Sequence, residues 1–402
     1  MTTLVDILLT MTTYKYLIIG GGMTAAAAVE GIRSADPTGT IGIVASEPHP
    51  PYKRPPLSKG LWKGDPFESV WLINVKDHAT IHPGRTATRI NKSEKQVVDD
   101  LIEVYAFDKL LLATGGSVRK LPYDVEGIIY FRTLDDYEQL RQKAPKGSSV
   151  IVIGGGFIGS EIAAALAMNG VSVTMIFPEE GIGSRVYPKR VAQFLVDTYA
   201  SKGVRVLAND GVKAIRREAA KYVVGTSSGL EVKADVVVAG IGISPSTELA
   251  QSAGLETGNG IMVNEFLETS QDGIFAAGDA ANFFSPALDK RVRLEHEDNA
   301  VTMGRHAGRN MAGAKEPYQH LPFFYSDLFE IGYEAVGEID TRLQMVEDWK
   351  EEFKEGVIYY IDQSRVKGVL LWNTWGQVDS ARKLISNKQM FTSESVKGSL
   401  FN

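Results

Sequence analysis

The stretch Tyr16-Leu-Ile-Ile-Gly20-Gly-Gly22-Met23-Thr24-Ala25-Ala-Ala-Ala28 decides the fold. Its apolar run reads as a buried strand, its glycines as a tight turn, and the residues from Met23 through the alanines as a helix. Strand, glycine turn and helix in that order open a dinucleotide-binding unit. Gly20 permits the turn. Gly22 lacks a Cβ, so a pyrophosphate can approach the backbone N–H groups at the N-terminus of the helix that Met23 and Thr24 begin. Ala25 takes the third fingerprint position, where helix and strand pack closely. An acidic residue after the next strand should hold a ribose diol, and Glu47 follows Ile41-Gly-Ile-Val44.

The pattern recurs in Val150-Ile-Val-Ile-Gly154-Gly-Gly156-Phe157-Ile158-Gly159-Ser-Glu161, with Gly159 at the third position and Glu179 after the strand Val171–Phe177. One glycine fingerprint is a weak signal; two in full strand, turn, helix and strand context are a strong one. Further glycine turns frame the units. Lys109-Leu-Leu-Leu-Ala113-Thr114-Gly115 and Asp235-Val-Val-Val-Ala-Gly240-Ile-Gly242 read as strands that close each sheet, and Gly273-Ile-Phe-Ala-Ala-Gly278-Asp279 delivers a carboxylate into a turn. Asp279 can also be read as a helix N-cap, and both roles can coexist. The expected fold class is α/β with two Rossmann-like dinucleotide-binding domains.

Composition agrees with that class. The 402 residues allow several domains at about 100 to 200 residues each. The chain is 44% apolar and 23% charged, as globular chains are, and its 40 glycines exceed the ~7% average. With 43 basic against 49 acidic side chains the net charge is −6, which gives no footprint for nucleic acid. No apolar run reaches the ~18 residues of a spanning helix, so neither an anchor nor a signal peptide is expected, and the location is read as cytoplasmic. Met11 opens the strand segment, so residues 1–10 read as an upstream start or a frayed extension. The chain has no cysteine. That excludes disulfide staples, thiolate metal sites, iron–sulfur ligation and a dithiol relay within the chain. Glu295-His296-Glu297 lacks metal-ligand spacing, so no metal is expected.

The order of these motifs resembles the two-dinucleotide, glutathione-reductase-like fold of the FAD-dependent pyridine-nucleotide oxidoreductases. Pro51-Tyr-Lys-Arg54-Pro-Pro-Leu-Ser-Lys59-Gly looks like the segment near the flavin in the apoptosis-inducing factor and oxygenase-coupled ferredoxin reductase branches. Phe177-Pro-Glu-Glu-Gly181, Glu295-His296, Gly332-Tyr-Glu334-Ala-Val-Gly337, Gly368-Val-Leu-Leu-Trp-Asn373 and Ala381-Arg-Lys-Leu-Ile385 are similar to the apoptosis-inducing-factor branch. The resemblance implies an FAD-binding domain over 1–121 and 254–320, an NAD(P)H-binding domain over 122–253, and an α+β C-terminal interface domain over 321–402. It departs in three ways: no long targeting region, no low-complexity insertion before Val357–Ile361, and no overall positive charge. Organelle targeting, regulated cell death and DNA binding are therefore not carried over.

For this chain the resemblance implies FAD on the first unit and a nicotinamide cofactor on the second, with their rings stacked where the domains meet. Lys59 and Glu161 match the catalytic pair, the lysine beside the isoalloxazine and the glutamate as its partner. Arg54 and Arg132 match arginines that contact FAD, and Ala87 a backbone contact to adenine. Glu295, His296 and Tyr325 match positions around the flavin ring and nicotinamide, and Glu334 a nicotinamide contact; the Tyr325 position is commonly tryptophan in the family. Glu179 at the diol position favours NADH over NADPH, with Glu180 adding to that preference and Arg185 softening it. The implied activity passes hydride from NADH to flavin N5 and electrons on to an external acceptor, a ferredoxin or quinone, without a thiol relay. The alternative is a redox-sensing flavoprotein whose long-lived charge-transfer complex controls oligomerisation, including a homodimer, or partner binding.

Overall fold

The apolar run ending at Ile19 forms the centre of a parallel sheet in the computed structural model, which describes residues 11–401. Strand Met11–Ile19 pairs in parallel with Ile41–Ala45 on one side and Val104–Leu112 on the other. Thr80–Pro83 extends one edge, and Ile274–Ala276 runs parallel beside the end of Val104–Leu112. In chain order the parallel strands thus stand 3-2-1-4-5, the arrangement of a dinucleotide-binding half. The first half of Val104–Leu112 instead pairs with an antiparallel hairpin, Gln96–Asp99 and Ala87–Asn91. Leu17, Ile18, Leu110, Leu111 and Leu112 are fully buried, as strands covered on both faces require.

The described residues form two compact units: 11–53, 70–117 and 245–322 in the first, and 54–69, 118–244 and 323–401 in the second. In the first unit, helix Met23–Ala35 packs on helix Glu297–Met311. Small residues let the two backbones meet: a Cβ on Gly304 would lie 2.3 Å from the Thr24 carbonyl oxygen, and one on Gly308 would lie 2.2 Å from that of Ala28.

The second unit repeats the parallel design. Its five-stranded sheet runs Arg205–Leu207, Ser172–Ile176, Ser149–Ile153, Val236–Ala239, Ile129–Tyr130, every neighbouring pair parallel. A three-stranded antiparallel sheet, Val212–Glu218, Lys221–Thr226 and Glu231–Ala234, follows in sequence. The same unit holds a five-stranded antiparallel sheet in the order Phe323–Leu328, Ile331–Gly337, Arg365–Trp372, Glu355–Asp362, Gln344–Glu351, with helix Val378–Ser386 against its central strands. The fold is therefore mixed α/β, two dinucleotide-binding halves with a C-terminal sheet domain. Residues 1–10, including the alternative start, lie outside the described residues. Among the described residues no helix is long and apolar enough to cross a membrane.

Candidate functional site

In the first unit, Gly20 has φ +118°, and a Cβ there would lie 2.1 Å from the Ala113 carbonyl oxygen. The turn is thus open to glycine alone. Two residues on, Gly22 caps helix Met23–Ala35 with no side chain satisfying the first turn, and a Cβ on it would meet nothing within 4 Å. Met23, Thr24 and Ala25 form the first turn behind this open space. A helix N-terminus with uncapped donors and free room fits a pyrophosphate. Ala113 donates its N–H to Ile19 at 2.8 Å, Thr114 Oγ1 donates to the Ser246 carbonyl at 2.7 Å, and Gly115 turns the chain at φ +65°.

Glu47 accepts a 2.5 Å hydrogen bond from the buried Tyr52 hydroxyl. The chain leading to Ala87 is tied to the same strand end, since Gly84 N–H donates to the Glu47 carbonyl at 3.1 Å and Arg85 N–H to that of Ala45 at 2.8 Å. Asp279 sits inside the short helical turn Gly278–Ala280, whose N-cap is Ala277. The capping reading of Asp279 is therefore corrected: the turn begins one residue earlier, at Gly278, so the cap position falls to Ala277. Gly278 has φ +76°, and a Cβ on it would lie 2.3 Å from Thr24 Oγ1, so the Asp279 turn abuts the first turn of the fingerprint helix.

Glu295 is exposed and paired with Arg293 at 2.6 Å. His296, the N-cap of helix Glu297–Met311, is held to a pKa of about 4 by its withdrawal from water, against the opposing pull of the Asp279 and Asp298 carboxylates. Its ordinary value is 6.5, so between pH 6.5 and about 4 the unfolded chain binds the extra proton. Stability is then lost as pH falls through that window. We expect His296→Gln to flatten the acid limb of the plot of Tm against pH there; an unchanged limb would assign the loss to other groups.

The second unit holds the matching cradle. Gly154 has φ +113°, with a Cβ position 2.5 Å from the Gly240 carbonyl oxygen, while a Cβ on Gly159 would lie 2.1 Å from the carbonyl of Gly154. Gly156 caps helix Phe157–Met168 without a side-chain cap, and its Cβ position is open. Phe157 and Ile158, each 39% exposed, place apolar surface at this mouth. Gly242, at φ +92°, is also open, and its carbonyl accepts from Arg119 N–H at 3.0 Å. Glu179 pairs with Arg185 at 2.8 Å, and Glu180 with Lys189 at 2.7 Å.

One turn into the helix, Glu161 is only 3% exposed and accepts three hydrogen bonds. Lys59 Nζ reaches Oε2 at 2.8 Å, Ser58 Oγ reaches the same oxygen at 2.6 Å, and Ser326 Oγ reaches Oε1 at 2.6 Å. Burial carries the donors here as well: Leu57, Leu61 and Trp62 anchor the 54–69 segment, and the Trp62 indole donates to the Leu57 carbonyl at 2.7 Å. Lys59 Nζ also lies 5.2 Å from the centre of the Tyr325 ring. Tyr325 stands opposite Glu334 across the strand pair, and Phe324 meets Phe157 edge to face at 5.1 Å. Burial pushes the Glu334 carboxyl up, and its Oε2 is buried with no hydrogen-bond partner among the described residues. An orphaned acceptor of this kind fits an amide N–H from a ligand. Arg54 donates to the Arg132 carbonyl at 3.1 Å.

The structure thus gathers Gly154, Gly156, Phe157, Gly159, Lys59, Glu161, Tyr325 and Glu334 into one cluster of the second unit. Arg54, Arg132, Glu179, Arg185 and Gly242 belong to that unit as well. Gly20 to Ala25, Glu47, Ala87, Ala113 to Gly115, Asp279, Glu295 and His296 belong to the first. Sequence reasoning missed Ser58, Ser326 and Arg293. The first two adjoin residues already singled out, Lys59 and Tyr325, but no spacing rule pairs either with Glu161. Among the described residues no group of three or more His, Asp or Glu could hold a metal ion.

A family model described as pyridine nucleotide-disulphide oxidoreductase matches residues 14–304. One for the C-terminal region of apoptosis-inducing factor, mitochondrion-associated, matches 307–351 and 344–387. The chain is 33% identical to rhodocoxin reductase of Rhodococcus erythropolis over 96% of its own length and 92% of that protein. It is 30% identical to a putative apoptosis-inducing factor 1, mitochondrial, of Drosophila melanogaster over 96% of its length, and spans 65% of that longer relative. The crystal structure of a covalent putidaredoxin reductase–putidaredoxin complex superposes with a TM-score of 0.88 at 29% identity, over 95% of each chain.

Proposed function

The chain belongs to the pyridine nucleotide-disulphide oxidoreductase family, and from that premise we propose an FAD-dependent NADH oxidoreductase that hands electrons directly to an external acceptor, a small iron–sulfur protein before a quinone. The observation that carries the reading is the buried Lys59–Glu161 pair at 2.8 Å, set one turn behind an open nucleotide cradle. When bound, FAD and NADH supply the redox chemistry, hydride transfer followed by release of electrons. The residues supply position and charge. The uncapped helix termini behind Gly22 and Gly156 would hold the pyrophosphates, and Glu47 and Glu179 would accept from the ribose hydroxyls. In the first unit Asp279, whose turn abuts the fingerprint helix, would add a polar contact to the flavin nucleotide. Glu334 Oε2 would be free to accept from an amide N–H such as that of a nicotinamide carboxamide. Lys59 offers a fixed cation to negative charge that develops during reduction, and Glu161 keeps that cation in place.

With no cysteine in the chain, none of its own thiols can relay electrons. The domain boundaries 1–121 with 254–320, 122–253 and 321–402 are proposed on the same footing. Match to the apoptosis-inducing-factor C-terminal model favours a second reading, a redox sensor that dwells in its reduced, nucleotide-bound form. Anaerobic reduction by NADH followed by mixing with an oxidised ferredoxin separates the two: rapid reoxidation supports the reductase, and a persistent long-wavelength band with an oligomer shift supports the sensor.

Coenzyme choice rests on Glu179, whose carboxylate opposes a 2′-phosphate. Its pairing with the exposed Arg185 offsets part of that charge. Glu179→Ala should remove the repulsion and release Arg185, raising the NADPH to NADH ratio of kcat/KM by about tenfold. An unchanged ratio would remove Glu179 from the diol site.

A further inference from the structure

Glu161 is tied down by three donors from two places in the chain, and only one of them is Lys59. Ser58 and Ser326 are 5% and 1% exposed, so neither hydroxyl has water as an alternative partner. Both bonds are 2.6 Å, shorter than the usual hydroxyl distance and in the range of hydrogen bonds to an ionised acceptor. Ser326 takes Oε1, while Ser58 shares Oε2 with Lys59. A carboxylate held at one oxygen could still rotate; held at both, it cannot turn Oε2 away from the ammonium. Tyr199 and Tyr333 stand close enough for the Glu161 charge to help hold their hydroxyls protonated, burial being the larger cause. Around the carboxylate, then, Lys59 supplies a cation and the two serines supply hydroxyl donors.

We propose that Ser58 and Ser326 are positioning residues of the reductive reaction: they fix the Glu161 carboxylate so that it holds the Lys59 ammonium in one place. The inference rests on the flavin-reductase reading above. It adds that the serine hydroxyls, acting through the Glu161 carboxylate, set how well Lys59 performs. Removing Ser326 Oγ leaves a buried carboxylate oxygen without its donor, so the carboxylate can turn and the ammonium can shift with it. The two serines act through one carboxylate, so their effects should not add.

The test compares Ser58→Ala, Ser326→Ala, the double variant, Ser326→Thr and Glu161→Gln in the FAD-loaded protein. We expect each alanine to slow anaerobic flavin reduction by NADH about tenfold, with the NADH concentration at half-saturation little changed. The midpoint potential of the bound flavin should fall in both alanine variants, because a displaced cation stabilises the reduced flavin less. Ser326→Thr, which keeps the hydroxyl, should restore rate and potential, and the double variant should be no slower than Glu161→Gln. Wild-type potential in both alanine variants, alongside a slow Glu161→Gln, would overturn the serine proposal and leave the Lys59–Glu161 reading standing. If Glu161→Gln is also indistinguishable from wild type, the failure lies with that reading itself. Should Ser326→Thr misfold, as judged by flavin content and circular dichroism, Ser58→Thr carries the same rescue.

Discussion

Lys59→Ala should slow flavin reduction by NADH about a hundredfold, the scale on which removing one preorganised electrostatic group acts. The same change strands a carboxylate that is 3% exposed, leaving it the two serine hydroxyls in place of its ion pair. Breaking a buried ion pair from one side costs about 3 to 5 kcal/mol, so Tm should fall as well. Pairing the substitution with Glu161→Gln separates the two effects. The glutamine keeps the volume and removes the stranded charge, and the double variant should recover most of the stability and none of the rate. Thermal unfolding and stopped-flow reduction, measured on the same samples, decide the matter. If rate returns together with stability, Lys59 serves packing and not the reaction.

The two cradles should respond separately to a single methyl group. Gly22 has an ordinary φ of −90°, Gly156 one of −82°, and a Cβ on either would meet no protein atom within 4 Å. Gly22→Ala and Gly156→Ala should therefore fold and keep their melting behaviour. Each methyl would occupy the space in which a pyrophosphate must reach the helix N-terminus. Gly22→Ala should weaken FAD retention by about a hundredfold, and Gly156→Ala should raise the Kd for NADH to a similar degree while FAD stays bound. Equilibrium dialysis of FAD and titration with NADH give the two constants. Loss of both ligands from either variant would mean that the fingerprints are not independent sites. Gly20 and Gly154 differ in kind: a Cβ there would strike a carbonyl oxygen at 2.1 and 2.5 Å, so substitution breaks the turn before any ligand is involved.

These glycines were legible because each fingerprint is contiguous and every position answers to a local constraint, a positive φ, an open approach or a close helix. The parallel strands were legible for a similar reason, since strands such as Ile41–Ala45 are buried throughout and their sequences are correspondingly apolar. The neighbourhood of Glu161 was not. Its partners Ser58 and Ser326 lie 103 and 165 residues away in sequence, and pairing across such distances follows from tertiary packing that no periodicity encodes. Lys59 and Glu161 were reached only through resemblance. Grouping of the 54–69 segment with the second unit escaped for a related reason: its proline-rich start has no strand or helix period, and burial of Leu57, Leu61 and Trp62 decides where it packs. Asp279 shows the reverse case, where a residue type suited to capping sits inside a turn whose cap is Ala277.

The most direct test is anaerobic mixing of the purified, FAD-loaded protein with NADH while the flavin absorbance is followed. An NADH oxidoreductase of this design bleaches its flavin with one equivalent of NADH per chain, as expected of a chain that has no thiol to store a second pair of electrons. The bleached flavin then recovers when an oxidised one-electron acceptor is added. A chain that binds no flavin, or whose bound flavin keeps its oxidised spectrum under excess NADH, would contradict the proposed function outright.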